Sequence, residues 1–392
     1  MVRSSRILHG LGPCARHPQM SELEAVRTAV RDFLHHTSPS SAVRNLMDTE
    51  RGYDHAVWCQ MAKELGLHGI AVPERWGGAG AGMPELAVVF EEMGAALLCS
   101  PFFSTVALAL QALLNSGDET AVEEFAPKLI DGSLVATLVL NGTLGAWDPA
   151  TVEITAHSEG SDHRLSGDAA LVLDGHIADL ILVAANTARG TSLFAVEAAA
   201  EGLERESLRT LDRTRKVARL RFDGVAARLI GTEGRAASGL TRTSDLALIA
   251  LASEQVGAAQ HCLDTAVSYT KERIQFGRPI GSFQAIKHRC ADMLVLVEGA
   301  RSAVFHACTV TDDDERATAA SVAKAVCSEA LLQVSLDNMR IHGGIGFTWE
   351  HDAHLYVRRA KASELMFGHP DYHLARLADH VSPSREQSKG QS

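Results

Sequence analysis

The spacing of apolar residues along the chain changes character twice. Between residues 20 and 132 apolar positions recur at helical intervals, behind a capping-box match formed by Ser21 and Glu24. Short β-rich runs punctuated by glycine, aspartate and asparagine follow, at 134–140, 171–173, 180–183 and 218–222. From about residue 236 the helical spacing returns and predicts four long helices, over 244–276, 283–310, 313–343 and 351–367.

This order of helices, strands and helices predicts a multi-domain α+β protein, because a single domain rarely changes structural class twice. We expect five segments along the chain. They are a disordered extension (1–19), an N-terminal α-helical domain (20–133), a middle β domain (134–232), a C-terminal four-helix bundle (233–380) and a disordered tail (381–392).

The composition limits the classes of partner and compartment. The formal net charge of −11 argues against nucleic acid, which selects a basic surface. The seven cysteines lie in apolar, alanine-rich surroundings without a Cys-x-x-Cys pair, so we expect reduced thiols in a cytoplasmic protein. No apolar run predicts a membrane span and the histidines lack a metal-ligand spacing, so we expect neither a membrane anchor nor a metal.

One segment at the end of the first predicted bundle helix carries residues suited to a dinucleotide. Arg273 offers a planar guanidinium, Phe276 an aromatic face and Gln284 a side-chain amide, with a glycine turn at Gly277. A pyrophosphate and an adenine suit this combination of charge, stacking surface and hydrogen-bonding group. These residues therefore predict half of a flavin site.

A second segment, His342–Phe347, supplies glycines to the same prediction. Gly343, Gly344 and Gly346 lack side chains, so the backbone there can approach a phosphate closely and present its N–H groups. The two segments together predict binding of the phosphate and adenine half of a flavin dinucleotide.

Taken in order, these segments resemble those of acyl-CoA dehydrogenases over about residues 20–373. The segments that carry the resemblance are Val72–Gly78, Glu91–Gly94, Arg273–Gly277, Gln284, His342–Phe347 and Arg358–Lys361. Each motif is weak alone, but their order and spacing are specific. The resemblance implies an N-terminal helical domain, a middle β-barrel and a C-terminal four-helix bundle that drives dimer and tetramer assembly.

The resemblance also implies FAD as cofactor, an acyl-CoA as substrate and an electron-transfer flavoprotein as electron acceptor. In this family a carboxylate removes the α-proton of the thioester while a hydride leaves the β-carbon for the flavin. Arg273, Phe276, Gln284 and the Gly343–Gly346 turn match residues that reach across a dimer to a neighbouring subunit's FAD. Arg340 stands where the family commonly has glutamine, and its guanidinium could still meet a phosphate.

The positions of the family's catalytic base do not carry an acid here. Phe367 stands where most members have a glutamate, and Ala247 stands where another branch has it. Two acids are candidates for a relocated base: Glu364, about one turn before Phe367, and Glu254, two turns after Ala247. A solvated or interfacial charge is the more ordinary role for either. Asp245 matches an acidic position that the family often keeps near the bound CoA.

The flavin-facing positions of the middle domain also differ from the family pattern. The family usually has a tryptophan that packs on the isoalloxazine ring and a hydroxyl residue that bonds to its polar edge, whereas this chain has Leu171 and Leu173. Leucine can pack on the ring but cannot satisfy its polar groups, and an unpaired buried polar group costs about 1–3 kcal/mol. In the loop upstream, Thr143 and Trp147 are the residues that could contribute instead.

The missing groups serve a chain's own active site, whereas the retained groups serve a partner's flavin. We therefore expect the non-catalytic subunit of a heteromeric (α2β2) acyl-CoA dehydrogenase, resembling those of actinobacteria that degrade bulky or sterol-derived acyl groups. A paralogous subunit would supply the base. Three alternatives stay open: a homotetrameric dehydrogenase with a relocated base, a flavin monooxygenase, and a flavin-independent lyase or structural protein on the same fold.

Overall fold

The computed structural model describes residues 20–140, 147–159 and 162–381. The predicted extension (1–19), the predicted tail from residue 382 onward and Thr143 lie outside these residues. The expectations for them therefore stay predictions.

Helices build the N-terminal part of the described chain. They are α1 (Met20–Thr37), α2 (Ser40–Leu46), α3 (His55–Lys63), α4 (Met83–Ala95), α5 (Leu110–Leu114) and α6 (Glu119–Ile130), with a π-helical stretch, Phe103–Ala109, leading into α5. Local chemistry sets their ends: the side chain of Asp54 accepts hydrogen bonds from the N–H groups of Ala56 and Val57 at the start of α3. The helices enclose Trp58, whose indole N–H donates to the carbonyl of Gly132 at 2.8 Å.

Strands of the middle part form a closed barrel. They are β1 (Ala136–Val139), β2 (Thr155–Glu159), β3 (Asp162–Leu173), β4 (Leu180–Thr187), β5 (Gly190–Glu197), β6 (Leu203–Ser207) and β7 (Val217–Ile230). The pairings β4–β2–β3–β7–β5–β4 return to the first strand, with β1 added beside β4 and β6 beside β7. Buried side chains such as Leu165, Phe194 and Leu220 fill the space that the ring encloses. The β-barrel that the resemblance implied is confirmed.

Long helices form the C-terminal part. They are α7 (Ala237–Glu272), α8 (Gln284–Thr309), α9 (Asp313–His342), α10 (Ala353–Leu365) and α11 (Pro370–Val381), with a hairpin of β8 (Ile274–Gln275) and β9 (Arg278–Pro279) between α7 and α8. α9 is central, in contact with the other four helices. Asp312 caps its first turn by accepting hydrogen bonds from the N–H groups of Asp314 and Glu315. The predicted helical bundle is confirmed.

One helical stretch of the described chain, 313–347, is long and apolar enough to cross a membrane by length and composition. However, 67% of its most apolar 18-residue segment is buried inside the protein. A helix that is apolar on several faces is expected at the centre of a bundle, and α9 has that position.

The sequence pattern missed strands β2, β5 and β6, the β8–β9 hairpin and helix α11. It also placed both ends of α7 too late, at 244 and 276 instead of 237 and 272. β6 reads Leu203-Glu-Arg-Glu-Ser207 and is mostly exposed, so it has no apolar alternation, and its pairing with β7 holds it in place. α7 begins at Ala237 rather than at 244, because Leu240 is buried in the main core and extends the helix by tertiary contact.

Two glycines let the backbones of α4 and α7 touch where these helices cross. A Cβ atom added to Gly257 of α7 would lie 1.7 Å from the carbonyl oxygen of Glu91. One added to Gly94 of α4 would lie 2.0 Å from the carbonyl oxygen of Glu254. Neither position accepts a side chain unless the helices separate, and close packing resists that separation. The crossing thus fixes α7 against the N-terminal helices.

Gly257→Ala should lower the free energy of unfolding by about 2–3 kcal/mol, because the helices must separate to admit the methyl group. Gly299→Ala is the matched control, since Gly299 lies in α8 with nothing within 4 Å of an added Cβ. That change should be neutral or stabilise the protein by up to about 1 kcal/mol. Urea unfolding of both variants measures the difference, and equal stabilities would contradict the close crossing.

Candidate functional site

The position that the resemblance assigns to the base belongs to a buried aromatic cluster. Phe367 is 4% exposed, has φ 61°, and packs against Phe103 and Trp147 at ring-centroid distances of 5.8 and 4.3 Å. The guanidinium of Arg215 lies 5.2 Å from the centre of the Phe103 ring, as a cation–π contact. Position 367 therefore carries an aromatic ring packed between Phe103 and Trp147 and not a carboxylate.

Glu254 belongs to a buried cluster of charged side chains. Arg215 donates a hydrogen bond to one of its carboxylate oxygens and Arg359 donates to the other. Arg359 also donates to Asp212 and to the hydroxyl of Thr214, both at 2.6 Å. Guanidinium groups therefore engage both oxygens of Glu254, so using it as a base would disturb buried ion pairs.

Glu364 lies near the end of α10 and is also paired. Its carboxylate accepts a hydrogen bond from Lys361 at 2.6 Å. The buried ammonium of Lys324 donates to the backbone carbonyls of Ser363 and Glu364, both at 3.0 Å, and so caps the end of the helix. Burial lowers the pKa of Lys324 to about 7. These contacts hold the end of α10, which precedes Phe367.

Asp245 lies on α7, two residues before Ala247, and both are buried. Arg376 of α11 donates a hydrogen bond to the Asp245 carboxylate at 3.2 Å. Burial raises the pKa of Asp245, and the charge of Arg376 partly offsets that rise. Asp245 therefore connects α11 to α7, and Ala247 contributes only a methyl group to the core.

The flavin-facing positions lie at the end of β3. Leu171 has φ 60° and is 61% exposed, at an irregularity in the β3–β7 pairing between Ala169 and Val172. Leu173 is buried, and its carbonyl accepts a 2.6 Å hydrogen bond from the hydroxyl of Thr137. Neither leucine side chain can form a hydrogen bond, so these residues do not fit the polar edge of an isoalloxazine ring.

Asp174, directly after β3, is a buried acid that the sequence analysis missed. The hydroxyl of Ser104 donates a 2.7 Å hydrogen bond to its carboxylate. Burial raises the pKa of Asp174 to about 7, although Ser104, Arg215 and Lys216 oppose the rise. The sequence carried no signal, because an aspartate before a glycine at the end of a strand is typical of an exposed turn.

The β8–β9 hairpin lies at the surface and carries two residues predicted to bind a dinucleotide. Phe276 is 88% exposed with φ 54°, and Gly277 follows with φ 75°. The Arg273 side chain is exposed and forms no ion pair or hydrogen bond within the described part of the chain. The hairpin thus presents an aromatic ring and an unpaired guanidinium to the outside.

Gln284 begins α8 beside this hairpin. Its side-chain nitrogen lies 2.7 Å from Nε2 of His288, one turn along the helix. Phe283 packs edge-on against Phe276 at 5.9 Å, and the guanidinium of Arg278 lies 4.2 Å from the centre of the Phe283 ring. The structure therefore brings the hairpin and Gln284 together. His288 was not predicted, although its spacing of four residues from Gln284 is a sequence signal.

The glycine turn after α9 leaves open surface at two of its three glycines. Gly343 has φ 64°, and a Cβ added to Gly343 or Gly344 would meet nothing within 4 Å. At Gly346 an added Cβ would lie 2.6 Å from a backbone carbonyl, so the chain's own packing requires that glycine. Arg340 donates to Asp337 at 3.0 Å, which partly neutralises its guanidinium.

The exposed groups fit one half of a dinucleotide and not the other. A guanidinium, an aromatic ring, an amide and open glycines suit phosphates and adenine. The residues at the flavin-facing positions offer no hydrogen bonds to the ring. Within 20–140, 147–159 and 162–381, no group of His, Cys, Asp and Glu side chains could hold a metal ion.

Comparisons with known proteins give a consistent result. The family model for the acyl-CoA dehydrogenase N-terminal domain matches residues 20–133, and the model for the C-terminal domain matches residues 244–382. A protein named acyl-CoA dehydrogenase IpdE2, from Mycolicibacterium smegmatis, is 36% identical over 361 residues, which cover 92% of this chain and 99% of that protein.

Two solved structures share both fold and sequence with the chain. The structure of the Tcur3481–Tcur3483 steroid ACAD matches with a TM-score of 0.83 and 32% identity, over 92% of this chain and 98% of that one. The ChsE4–ChsE5 complex from Mycobacterium tuberculosis matches with a TM-score of 0.85 and 26% identity, over 94% and 99%.

The raised pKa of Asp174 predicts a defined pH dependence of stability. The folded state holds the proton of Asp174 up to about pH 7, whereas an unfolded aspartate releases it near pH 4. The wild-type protein should therefore lose stability relative to Asp174→Asn as the pH rises from about 4 to about 7, with no further change above that range. Asparagine keeps an oxygen that accepts from Ser104.

Thermal unfolding of Asp174→Asn and wild type at a series of pH values measures this difference. Asp168→Asn is the matched control, because Asp168 is exposed on the same strand. A gain for Asp174→Asn of several degrees at pH 8 that vanishes at pH 4 is expected. A gain of equal size at both pH values would argue against a buried acid with a raised pKa.

Proposed function

The chain belongs to the acyl-CoA dehydrogenase family of FAD-dependent oxidoreductases, and from this membership we propose that it is the non-catalytic subunit of a heteromeric, α2β2 enzyme. A paralogous subunit supplies the carboxylate base and the contacts to the isoalloxazine ring. This chain supplies contacts to the phosphates and adenine of the partner's FAD, and it contributes to assembly.

The proposal rests on a contrast in exposure: the residues at the family's base positions are buried, whereas the residues that match its cross-dimer contacts are exposed. At the two positions where the family has its base, this chain has Phe367 and Ala247, which are 4% and 0% exposed. The residues that match the cross-dimer contacts are Arg273, Phe276 and Gln284, and all three are exposed. Burying an exposed aromatic ring such as Phe276 in a subunit interface removes its apolar surface from water, which favours association.

The two acids considered as relocated bases lend little support to a homomeric enzyme. A general base must lie within hydrogen-bond reach of the proton it removes and must be able to accept it. Both oxygens of Glu254 are engaged by Arg215 and Arg359, and one oxygen of Glu364 is engaged by Lys361. Using Glu254 would require breaking buried ion pairs, a change that typically costs about 3–5 kcal/mol.

In the proposed complex each residue of this chain has a limited task. Arg273 pairs with the phosphates, Phe276 covers an apolar face of the cofactor, and Gln284 hydrogen-bonds to it. Gly343 and Gly344 allow the backbone to approach. FAD, when bound, supplies the two-electron oxidation of the acyl thioester. The base that takes the α-proton belongs to the partner, so this chain binds and orients.

The substrate is proposed to be an acyl-CoA with a bulky acyl group, such as a sterol-derived one. Support comes from the structural relative Tcur3481–Tcur3483, which is a steroid ACAD. The ChsE4–ChsE5 match is likewise a complex of two differently named chains. We further propose an electron-transfer flavoprotein as electron acceptor and the cytoplasm as compartment.

Expression of the chain with and without a paralogous acyl-CoA dehydrogenase subunit tests the proposal. Alone, the chain should purify without FAD and without dehydrogenase activity. Together, the two chains should form a complex with one FAD per pair and turn over an acyl-CoA. A yellow, active homotetramer of this chain alone would refute the heteromeric function.

In that complex, Arg273→Ala should lower the FAD content at least tenfold at micromolar FAD, because a charge-assisted contact to phosphate is lost. Arg278→Ala is the matched control: it removes the same charge from the same exposed hairpin, but its guanidinium stacks on the chain's own Phe283. Flavin absorbance and gel filtration report FAD content and assembly. Unchanged FAD content in Arg273→Ala would exclude the proposed contact.

Glu364→Gln should leave kcat of the complex within about twofold of wild type, because the proposal assigns the base to the partner. A base at this position would lose at least about 100-fold in rate when its carboxylate became an amide. Glu329→Gln, at an exposed acid of α9, serves as control. A steady-state dehydrogenation assay distinguishes the two outcomes.

A further inference from the structure

A cavity of about 1040 Å³ opens between the N-terminal helices and the bundle. Helices α1, α2, α4, α7, α8 and α10 contribute to its walls, and none of the site residues described above lines it. Ligand cavities are commonly about 300–1,000 Å³ and often lie between domains. This cavity therefore has the size and place of a ligand site, separate from the residues that match the family's acyl-CoA and flavin contacts.

The greater part of the cavity wall is apolar. Aliphatic and aromatic side chains from all six helices line it, together with Leu97 just after α4; Val88, Val256, Val304, Phe305 and Leu355 are examples. Phe305 is 58% exposed at the rim, whereas Val256 is 2% exposed deeper inside. Such a wall favours a ligand with a large hydrocarbon body.

The arginines of the wall are already paired with its glutamates. Arg27 donates to Glu91 and Glu92, and Arg31 donates to Glu92. Arg301 donates to Glu91 and to the side-chain oxygen of Gln260. No arginine among the described lining residues is left unpaired. The phosphates of an acyl-CoA require unpaired cationic donors, so the cavity is unsuited to a CoA ester.

The ring of His261, deeper in the wall, is a polar group that stays available. His261 stacks on Tyr356 at 4.7 Å with an interplanar angle of 12°, and the Tyr356 hydroxyl is fixed by donating to the carbonyl of Ala95 at 2.7 Å. Among the described residues, none forms a hydrogen bond with the His261 ring. Burial lowers the pKa of His261, so at neutral pH its ring offers one N–H donor and one acceptor nitrogen.

We propose that this cavity binds an uncharged amphipathic molecule whose hydrocarbon body packs on the apolar wall and whose hydroxyl or carbonyl group hydrogen-bonds to His261. The assignment does not depend on which subunit holds the flavin. It adds to the chain a ligand site that is chemically distinct from one for acyl-CoA.

Calorimetric titration of the full-length protein with 1-decanol tests the proposal, both for the chain alone and for its complex. One decanol should bind per chain. Ala95→Phe, which extends a ring into the cavity from a half-buried position of α4, should weaken binding at least tenfold. His261→Phe keeps the stacked ring but removes the hydrogen bond, and should weaken binding roughly fivefold.

His306→Phe is the matched control, since His306 is exposed on α8 outside the cavity. It should bind decanol as wild type does. Decanoyl-CoA should not displace decanol. The proposal is overturned by absence of decanol binding to the complex, by unchanged affinity in either cavity variant that retains the wild-type melting temperature, or by displacement with decanoyl-CoA.

Discussion

The buried charge cluster of Asp212, Arg215, Glu254 and Arg359 links parts of the chain that lie far apart in sequence. Asp212 and Arg215 precede β7, Glu254 lies in the middle of α7, and Arg359 lies on α10. The four charges are buried and compensate one another, with Thr214 hydrogen-bonded to Asp212 and Arg359, so the cluster is stable as a whole. The orientation of the barrel against the bundle depends on that mutual compensation.

The same cluster connects to the aromatic residues that pack where the family has its base. Arg215 reaches from Glu254 to the face of Phe103, and Phe103 stacks on Phe367. Because Arg215 contacts both Glu254 and Phe103, a mobile catalytic acid in this region would disturb both contacts. On the outside of the bundle the opposite holds, because Arg273 and Phe276 have few contacts within the chain and are free to contact another molecule. The buried acids of this cluster are thus paired within the chain, whereas the hairpin side chains are exposed.

Much of the fold could be predicted because its elements carry local signals. The helices of the bundle show apolar periodicity and capping residues such as Asp312. The strands with apolar runs, β1 and β4, were predicted for the same reason. β6 was not, because its exposed residues form a strand only through pairing with β7. The extended start of α7 likewise depends on burial of Leu240 against other helices.

The sequence by itself determined which chemistry these positions lack, because the side chains of Phe367, Ala247, Leu171 and Leu173 cannot exchange protons or form hydrogen bonds in any fold. It also determined family membership through motif order. Only the tertiary structure decided which acids are free and which are paired. Glu254 meets Arg359 across 105 residues and Asp174 meets Ser104 across 70, and such partners are chosen by packing rather than by local pattern. The cavity around His261 depends on packing in the same way, because six separate helices enclose it.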